Sequence, residues 1–329
     1  MTQCSNCNTS ELIYEIKAAG KQNLQVLPQI IPFLNARRTL VSSTDDTLFV
    51  KESGIADFDD FCKDHMDVEQ LTFRLQDESW RPLHELEAAL SSQWVDEIIR
   101  QQRIICYAQP IVDERGSVYA HEMLARFIQE DGSLLSPMKV FEAAKLRNRL
   151  YSLDRLCRMT AVHSSAGLSG KIFINFIPTS IYSPQHCLQS TIQLAQQLRI
   201  EPSMFVFEVV ETEKVDDLEH LKNILGYYKQ RGFQYALDDV GEGFSTIELL
   251  QELKPHYMKL DKGFVQGVSS CPEKQEVALK LLHAALQINS VPLAEGVEEE
   301  ADFTWLRDSG FQLFQGYLFG RPAPINQCS

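Results

Sequence analysis

The chain has no long uninterrupted apolar run, which excludes an obvious membrane-spanning helix. Its opening MTQCSNCNTSE lacks both a basic stretch and an apolar segment, which argues against a secretory leader and gives the expectation of a cytoplasmic protein. Positive charge is scarce: 31 Lys and Arg face 45 Asp and Glu, for a net charge of −14. That balance excludes non-specific binding of a nucleic-acid polymer through a basic face. An anionic ligand therefore needs bound cations or a local cluster of Lys and Arg. The eight cysteines stand singly apart from Cys4 and Cys7, which suits reduced thiols rather than a disulfide framework. Trp80, Trp94 and Trp305 are dispersed and form no stacking platform for single strands. A G-x-G-x-x-G turn, internal repeats and low-complexity stretches are all missing, and the first of these argues against a dinucleotide-binding open sheet.

What is present suffices for one large and one small domain: 329 residues, 44% of them apolar. Residues 1–90 read as a small α+β domain, with strand-like pieces LIYEIKAAG, TLFVKESG and QLTFRLQDESW. Residues 82–102 read as a helix, with Leu83, Leu86, Leu90, Val95 and Ile98 on one face, leading into a second domain over 91–329. From about residue 103 eight short apolar runs follow: IICYAQPIV, YAHEMLARF, KIFINFI, MFVFEVV, QYALDDV, HYMKLDK, VPLAEGV and LFQGYLFG. Amphipathic helical patterns separate most of them, which predicts an α/β fold built as a modified (β/α)8 barrel. Only DERGS joins the first two runs, so they form a hairpin and one strand runs antiparallel to the rest.

Near the end of each run stands a polar residue: Gln109, Glu122, Asn175, Glu208, Asp238 with Asp239, Lys259, Glu295 and Gln315. Barrel chemistry sits where strands end and loops begin. Any one of these alone reads as a solvated edge group. Together they bring five carboxylates to one mouth, where each raises the others' pKa unless cations intervene. Hard oxygen ligands without His or Cys select Mg2+ or Mn2+ over Zn2+, and adjacent Asp238 and Asp239 favour a carboxylate shared by two ions. Such a pair serves attack by water on a phosphodiester, with Lys259 near the attacking water or the developing charge. Gly241 and Gly243 allow positive φ in the loop that follows.

AHEMLARF, INFIP, FEVVE, ALDDVGEGFST, MKLDKGFV, LAEGVE and FQGYLFGRP resemble, in order and spacing, the motifs of EAL-domain cyclic-di-GMP phosphodiesterases over about residues 92–325. The resemblance implies conversion of cyclic di-GMP to linear pGpG with two Mg2+ or Mn2+ ions and a homodimer through the barrel, and Ca2+, larger and more loosely coordinated, is expected to inhibit. It places Glu122, Asn175, Glu208 and Asp238 on one metal, and Asp238, Asp239 and Glu295 on the other. It makes Glu122, Asp239, Lys259 and Glu295 catalytic, Glu211 a brace for the loop after the Asp pair, and Gln109, Arg126 and Gln315 contacts of the dinucleotide. The chain departs from the pattern at Met123, where Ala is usual, at Val210 in place of Thr, and at Val240, Glu242 and Phe244 in the loop. The loop changes keep open a cyclic-di-GMP receptor without turnover, and beyond it a protein-interaction scaffold.

Cys4, Cys7, Cys62 and His65 have spacings that fit a structural Zn2+ site, against ordinary thiols on a flexible tail. Cys106, Cys157 and Cys187 read as core residues, and His121 as a packing residue facing away from the mouth.

Overall fold

Alternating burial along Ile13–Ala18, where Tyr14, Ile16 and Ala18 are inside, makes the first strand of a one-sided sheet. The computed structural model describes residues 11–75, 78–209, 218–241 and 247–325. It contains two compact units, one of residues 1–103 with 129–153, the other of 104–128 with 154–329.

In the first unit β1 (Ile13–Ala18), β2 (Leu40–Ser43), β3 (Thr47–Lys51), β4 (Leu71–Leu75) and β5 (Arg81–Pro82) form an antiparallel sheet in the order β2-β3-β1-β4-β5. Helices at Lys21–Val26 and Ile31–Ala36 connect β1 to β2, and a helix at Ile55–His65 connects β3 to β4. Each crossover skips a strand, the split-βαβ plait. Tyr14, Ile16, Leu48, Val50, Phe58 and Phe73 form its core. The single helix expected over 82–102 is instead two, Leu86–Ser91 and Trp94–Gln101. Ser91 and Ser92 both turn their hydroxyls back on the Ala88 carbonyl, at 3.1 and 2.8 Å, a bond that competes with helix propagation. Leu83, Leu86, Val95 and Ile98 are nevertheless buried, as their spacing requires.

The segment 129–153 belongs to this unit and carries β8 (Leu134–Leu135) and the helix Pro137–Leu146. Arg147, fully buried, follows that helix and donates to Glu52 Oε1 and Oε2 at 2.7 and 2.9 Å, to Asp96 Oδ2 at 3.1 Å, and to the Ala89 carbonyl at 3.1 Å. Glu52 also accepts the Tyr14 hydroxyl at 3.1 Å, and Arg149 Nε reaches Asp96 Oδ1 at 3.0 Å. Burial alone would push the Glu52 carboxyl up, but the Arg147 guanidinium pulls it below its ordinary value.

The second unit is the barrel. Its strands are β6 (Ile104–Asp113), β7 (Val118–Ile128), β9 (Lys171–Phe176), β10 (Phe205–Val209), β11 (Gln234–Val240), β12 (Tyr257–Leu260), β13 (Val291–Ala294) and β14 (Leu313–Gln315), with β15 (Ala323–Pro324) on the edge of β6. β7 through β14 pair in parallel, β6 and β7 form the predicted antiparallel hairpin, and β14 closes on β6 antiparallel. β6 is thus the strand that runs against the others. Ile111, Ala120, Phe173, Val206, Ala236, Tyr257, Leu293 and Leu313 fill the interior. Among the described residues no helix is long and apolar enough to cross a membrane.

Candidate active site at the barrel mouth

Side chains two residues apart on a strand share a face. The interior apolar layer therefore fixes what stands above it. Ala120 leads to Glu122, Phe173 to Asn175, Val206 to Glu208, Ala236 to Asp238, Tyr257 to Lys259, Leu293 to Glu295 and Leu313 to Gln315. On β6, which runs the other way, Ile111 stands below Gln109. Cross-strand register supports this, with Gln109 opposite Glu122 and Asn175 opposite Glu208.

Asp239 breaks the alternation, which would send it to the outer face. The β11–β12 register shifts between Leu237 and Val240, and Asp239 has φ of 50°, in the left-handed region that Asp tolerates better than most residues. This local irregularity brings ligand oxygens of Asp238, Asp239 and Glu295 within 4.8 Å of one another. Gly241 follows with φ of 113°, and a Cβ there would meet the Phe264 ring at 2.8 Å, so glycine is required.

Lys259, almost wholly buried, sits among the acids. Its Nζ lies 2.7 Å from Glu208 Oε1, 2.9 Å from Asp238 Oδ1, 3.2 Å from Glu295 Oε2 and 3.9 Å from Glu122 Oε2. Amides hold the rest. Asn175 Nδ2 donates to Glu122 Oε1 at 2.8 Å, and Gln315 Nε2 to Glu122 Oε2 at 2.6 Å. Gln315 Nε2 also reaches Gln109 Oε1 at 3.2 Å, and Gln109 Nε2 donates to the Gly320 carbonyl at 3.2 Å.

Four carboxylates share this one ammonium, with Asp239 beside two of them, and their protonation shows the imbalance. Burial and the neighbouring Glu122 push Glu208 well above its ordinary range, against Lys259. Burial pushes Glu295 up to about 8 despite Lys259. Glu122 is the exception: burial opposes ionisation, but Lys259 and the two amides hold its carboxyl low. The carboxylates in turn push Lys259 well up, overriding its own burial. Glu208 Oε1 meets Lys259 only as an ion pair, and Glu208 Oε2 is buried with no hydrogen-bond partner. Asp238 Oδ1 and Glu295 Oε2, like Glu208 Oε1, meet Lys259 only as ion pairs. Excess negative charge, with Glu208 Oε2 unpartnered, fits hard divalent cations, and Asp238, Asp239 and Glu295 already lie close enough together to share one.

Arg126 lies four residues beyond Glu122 on β7, hence on the same face, with its guanidinium 5.2 Å from the Tyr107 ring centroid. Met123 is buried on the opposite face, as alternation predicts. His121 shares that face and is buried, but its Nδ1 has no partner, so its packing is not fully satisfied. Cys106 and Cys187 are buried, and burial pushes the Cys157 thiol well up.

The zinc expectation fares differently. Cys4 and Cys7 lie outside the described residues. Cys62 is fully buried with its thiol against Met66 Sδ at 3.7 Å, whereas His65 is exposed and packs on Phe61 with ring centroids 4.9 Å apart. Core-facing Cys62 and solvent-facing His65 do not offer a common metal position. Glu211, Val210, Glu242, Gly243 and Phe244 also lie outside the described residues. No motif drew attention to Asp154, whose carboxylate accepts the Ile177 amide just past Asn175, at 3.0 Å. Its one sequence signal was an acid inside an amphipathic helical stretch.

A family model described as the EAL domain matches residues 92–322. The cyclic di-GMP phosphodiesterase PdeF of Escherichia coli (strain K12) is 26% identical over 236 residues, 70% of this chain and 31% of that protein. This chain therefore spans about a third of that relative's length. A standalone versatile EAL protein from Vibrio cholerae O395, solved in its c-di-GMP-bound form, is 33% identical, with 67% of this chain and 92% of that one covered and a TM-score of 0.61. The PaMucR phosphodiesterase in complex with c-di-GMP shares the fold, at 23% identity, with 69% and 100% covered and a TM-score of 0.61.

Proposed function

The chain belongs to the EAL domain family, and from that premise we propose that it hydrolyses cyclic di-GMP to linear pGpG with two Mg2+ or Mn2+ ions. The observation that carries the reading is the mouth itself: four carboxylates against one buried lysine, a fifth beside them, and Glu208 Oε2 left without a hydrogen bond. A cyclic dinucleotide brings two phosphodiesters to a site whose own charge is negative, so cations must mediate the encounter.

In this reading Glu122, Asn175, Glu208 and Asp238 hold one ion, and Asp238, Asp239 and Glu295 the other. Bound divalent ions would supply charge neutralisation and a water acidic enough to attack phosphorus. Lys259 stabilises negative charge that builds on the phosphoryl oxygens. Gln109, Gln315 and Arg126 orient the dinucleotide, Arg126 through a phosphate oxygen. The water oxygen forms the new P–O bond, the P–O3′ bond breaks, and O3′ departs with a proton. Homodimerisation through the barrel and a sensory or regulatory role for residues 1–90 belong to the same proposal, and sedimentation of the full chain tests the former.

The test is incubation with cyclic di-GMP and Mg2+ or Mn2+, followed by separation of products. A linear dinucleotide that disappears with Glu122→Ala supports the hydrolase. Bound but unchanged ligand supports a receptor instead, and the altered residues of the DDVGEG loop are what favour that outcome. Ca2+ is expected to inhibit, because its looser coordination misplaces the attacking water.

A further inference from the structure

A buried ion pair stands behind the candidate ligand Asn175. Asp154 and Arg158 lie one turn apart on the helix Leu150–Ser164, are 2% and 0% exposed, and bond at 2.9 Å from Arg158 Nε to Asp154 Oδ2. Arg158 Nη1 also donates to Thr191 Oγ1 at 3.0 Å. A buried pair of this kind is poor at adding net stability, since apolar residues of similar volume serve as well or better. Its value must then lie in what the charges hold in place.

What they hold is the end of β9. Pairing with β7 stops at Ile174, opposite Met123, while pairing with β10 ends at Phe176, opposite Val209. Asn175 thus stands where the strand has lost one neighbour and is about to lose the other. The next free amide, that of Ile177, donates to Asp154 Oδ1 at 3.0 Å. The Ser180 hydroxyl, one turn further, donates to Asp154 Oδ2 at 3.1 Å. The carboxylate therefore takes over from the missing strand at both ends of the Ile177–Ser180 turn. Asn175 in turn fixes Glu122 through its 2.8 Å bond.

We propose that Asp154, neutralised by Arg158, is a positioning residue that sets Asn175 and, through it, Glu122 for metal binding. The inference rests on the function proposed above, which makes those two residues ligands. A carboxylate one layer behind a ligand typically controls metal affinity or activity by about 10–100-fold.

The experiment measures Mn2+ affinity by calorimetry together with kcat and KM for cyclic di-GMP. It compares wild type, Asp154→Asn, and the apolar double variant Asp154→Leu/Arg158→Met. Both variants are expected to melt as cooperative folded proteins, to bind Mn2+ about 10–100-fold more weakly, and to lose kcat with little change in KM. Excess Mn2+ is expected to restore part of the rate at a temperature well below the metal-free melting point of each variant, where loss of stability does not limit turnover. Wild-type Mn2+ affinity and kcat in either folded variant would overturn the proposal. Failure of both variants to fold would also overturn it, by assigning the pair to stability alone. A wild type that binds Mn2+ but leaves the dinucleotide intact would sink only the hydrolase reading, because metal affinity is read directly.

Discussion

Lys259 Nζ touches Glu208 Oε1 at 2.7 Å while the other Glu208 oxygen has no hydrogen-bond partner. One cation is serving more negative charge than it can neutralise. Lys259→Met is therefore expected to lower the melting temperature of the metal-free protein, and Mn2+ to recover much of that loss. Turnover is expected to fall about 10²–10³-fold and to stay low with Mn2+, since donors aimed at developing charge carry that much rate. Thermal melts and steady-state rates, each with and without Mn2+, check both halves.

The acid cluster also predicts how pH acts. Glu208 and Glu295 have raised carboxyls in the folded chain, Glu295 to about 8, so folded protein keeps protons that unfolded chain releases above about 4.5. Metal-free stability contributed by this pair is present at low pH and is lost as pH rises toward 8. Glu122, held low, acts in the opposite sense, one group against two. The gain in melting temperature on adding Mn2+ should be larger at pH 8 than at pH 5.5. Equal gains at both would remove this account of the site.

Asp239 offers a separation of backbone from charge. Asn tolerates positive φ at least as well as Asp, so Asp239→Asn should fold normally and lose turnover. Asp239→Val should lose turnover and also about 1–2 kcal/mol of stability, because a β-branched residue resists φ of 50°. Urea unfolding of the two variants distinguishes them.

In the first unit Arg147→Ala leaves Glu52 and Asp96 without their shared partner. The expected cost is about 3–5 kcal/mol, the usual result of breaking a buried pair from one side. Arg147→Lys should recover only part, since an ammonium cannot reproduce the two parallel bonds to Glu52. Denaturant midpoints for the two variants order these effects, and equal midpoints would contradict them.

Much of the barrel was legible because strand ends carry a simple rhythm, an apolar residue and then a polar one two positions later. Ala236-x-Asp238 and Leu293-x-Glu295 show it plainly. The antiparallel hairpin followed from a connection too short for a helix. Other features depend on contacts that no local pattern encodes. The doubled acid at Asp238 and Asp239 is plain in sequence, but the register shift and left-handed backbone that go with it lie in how β11 meets β12. The break at Ser91 and Ser92 went unread because hydroxyls can turn outward or back on the helix with equal ease in sequence. Asp154 was hidden for a different reason, since its partners Ile177 and Ser180 are more than twenty residues away.

The apolar ring from Ile111 to Leu313 leaves the acid cluster with a closed floor. In the proposed reaction, ion, water and dinucleotide would approach from above that floor, the side toward which the cleaved chain would also leave.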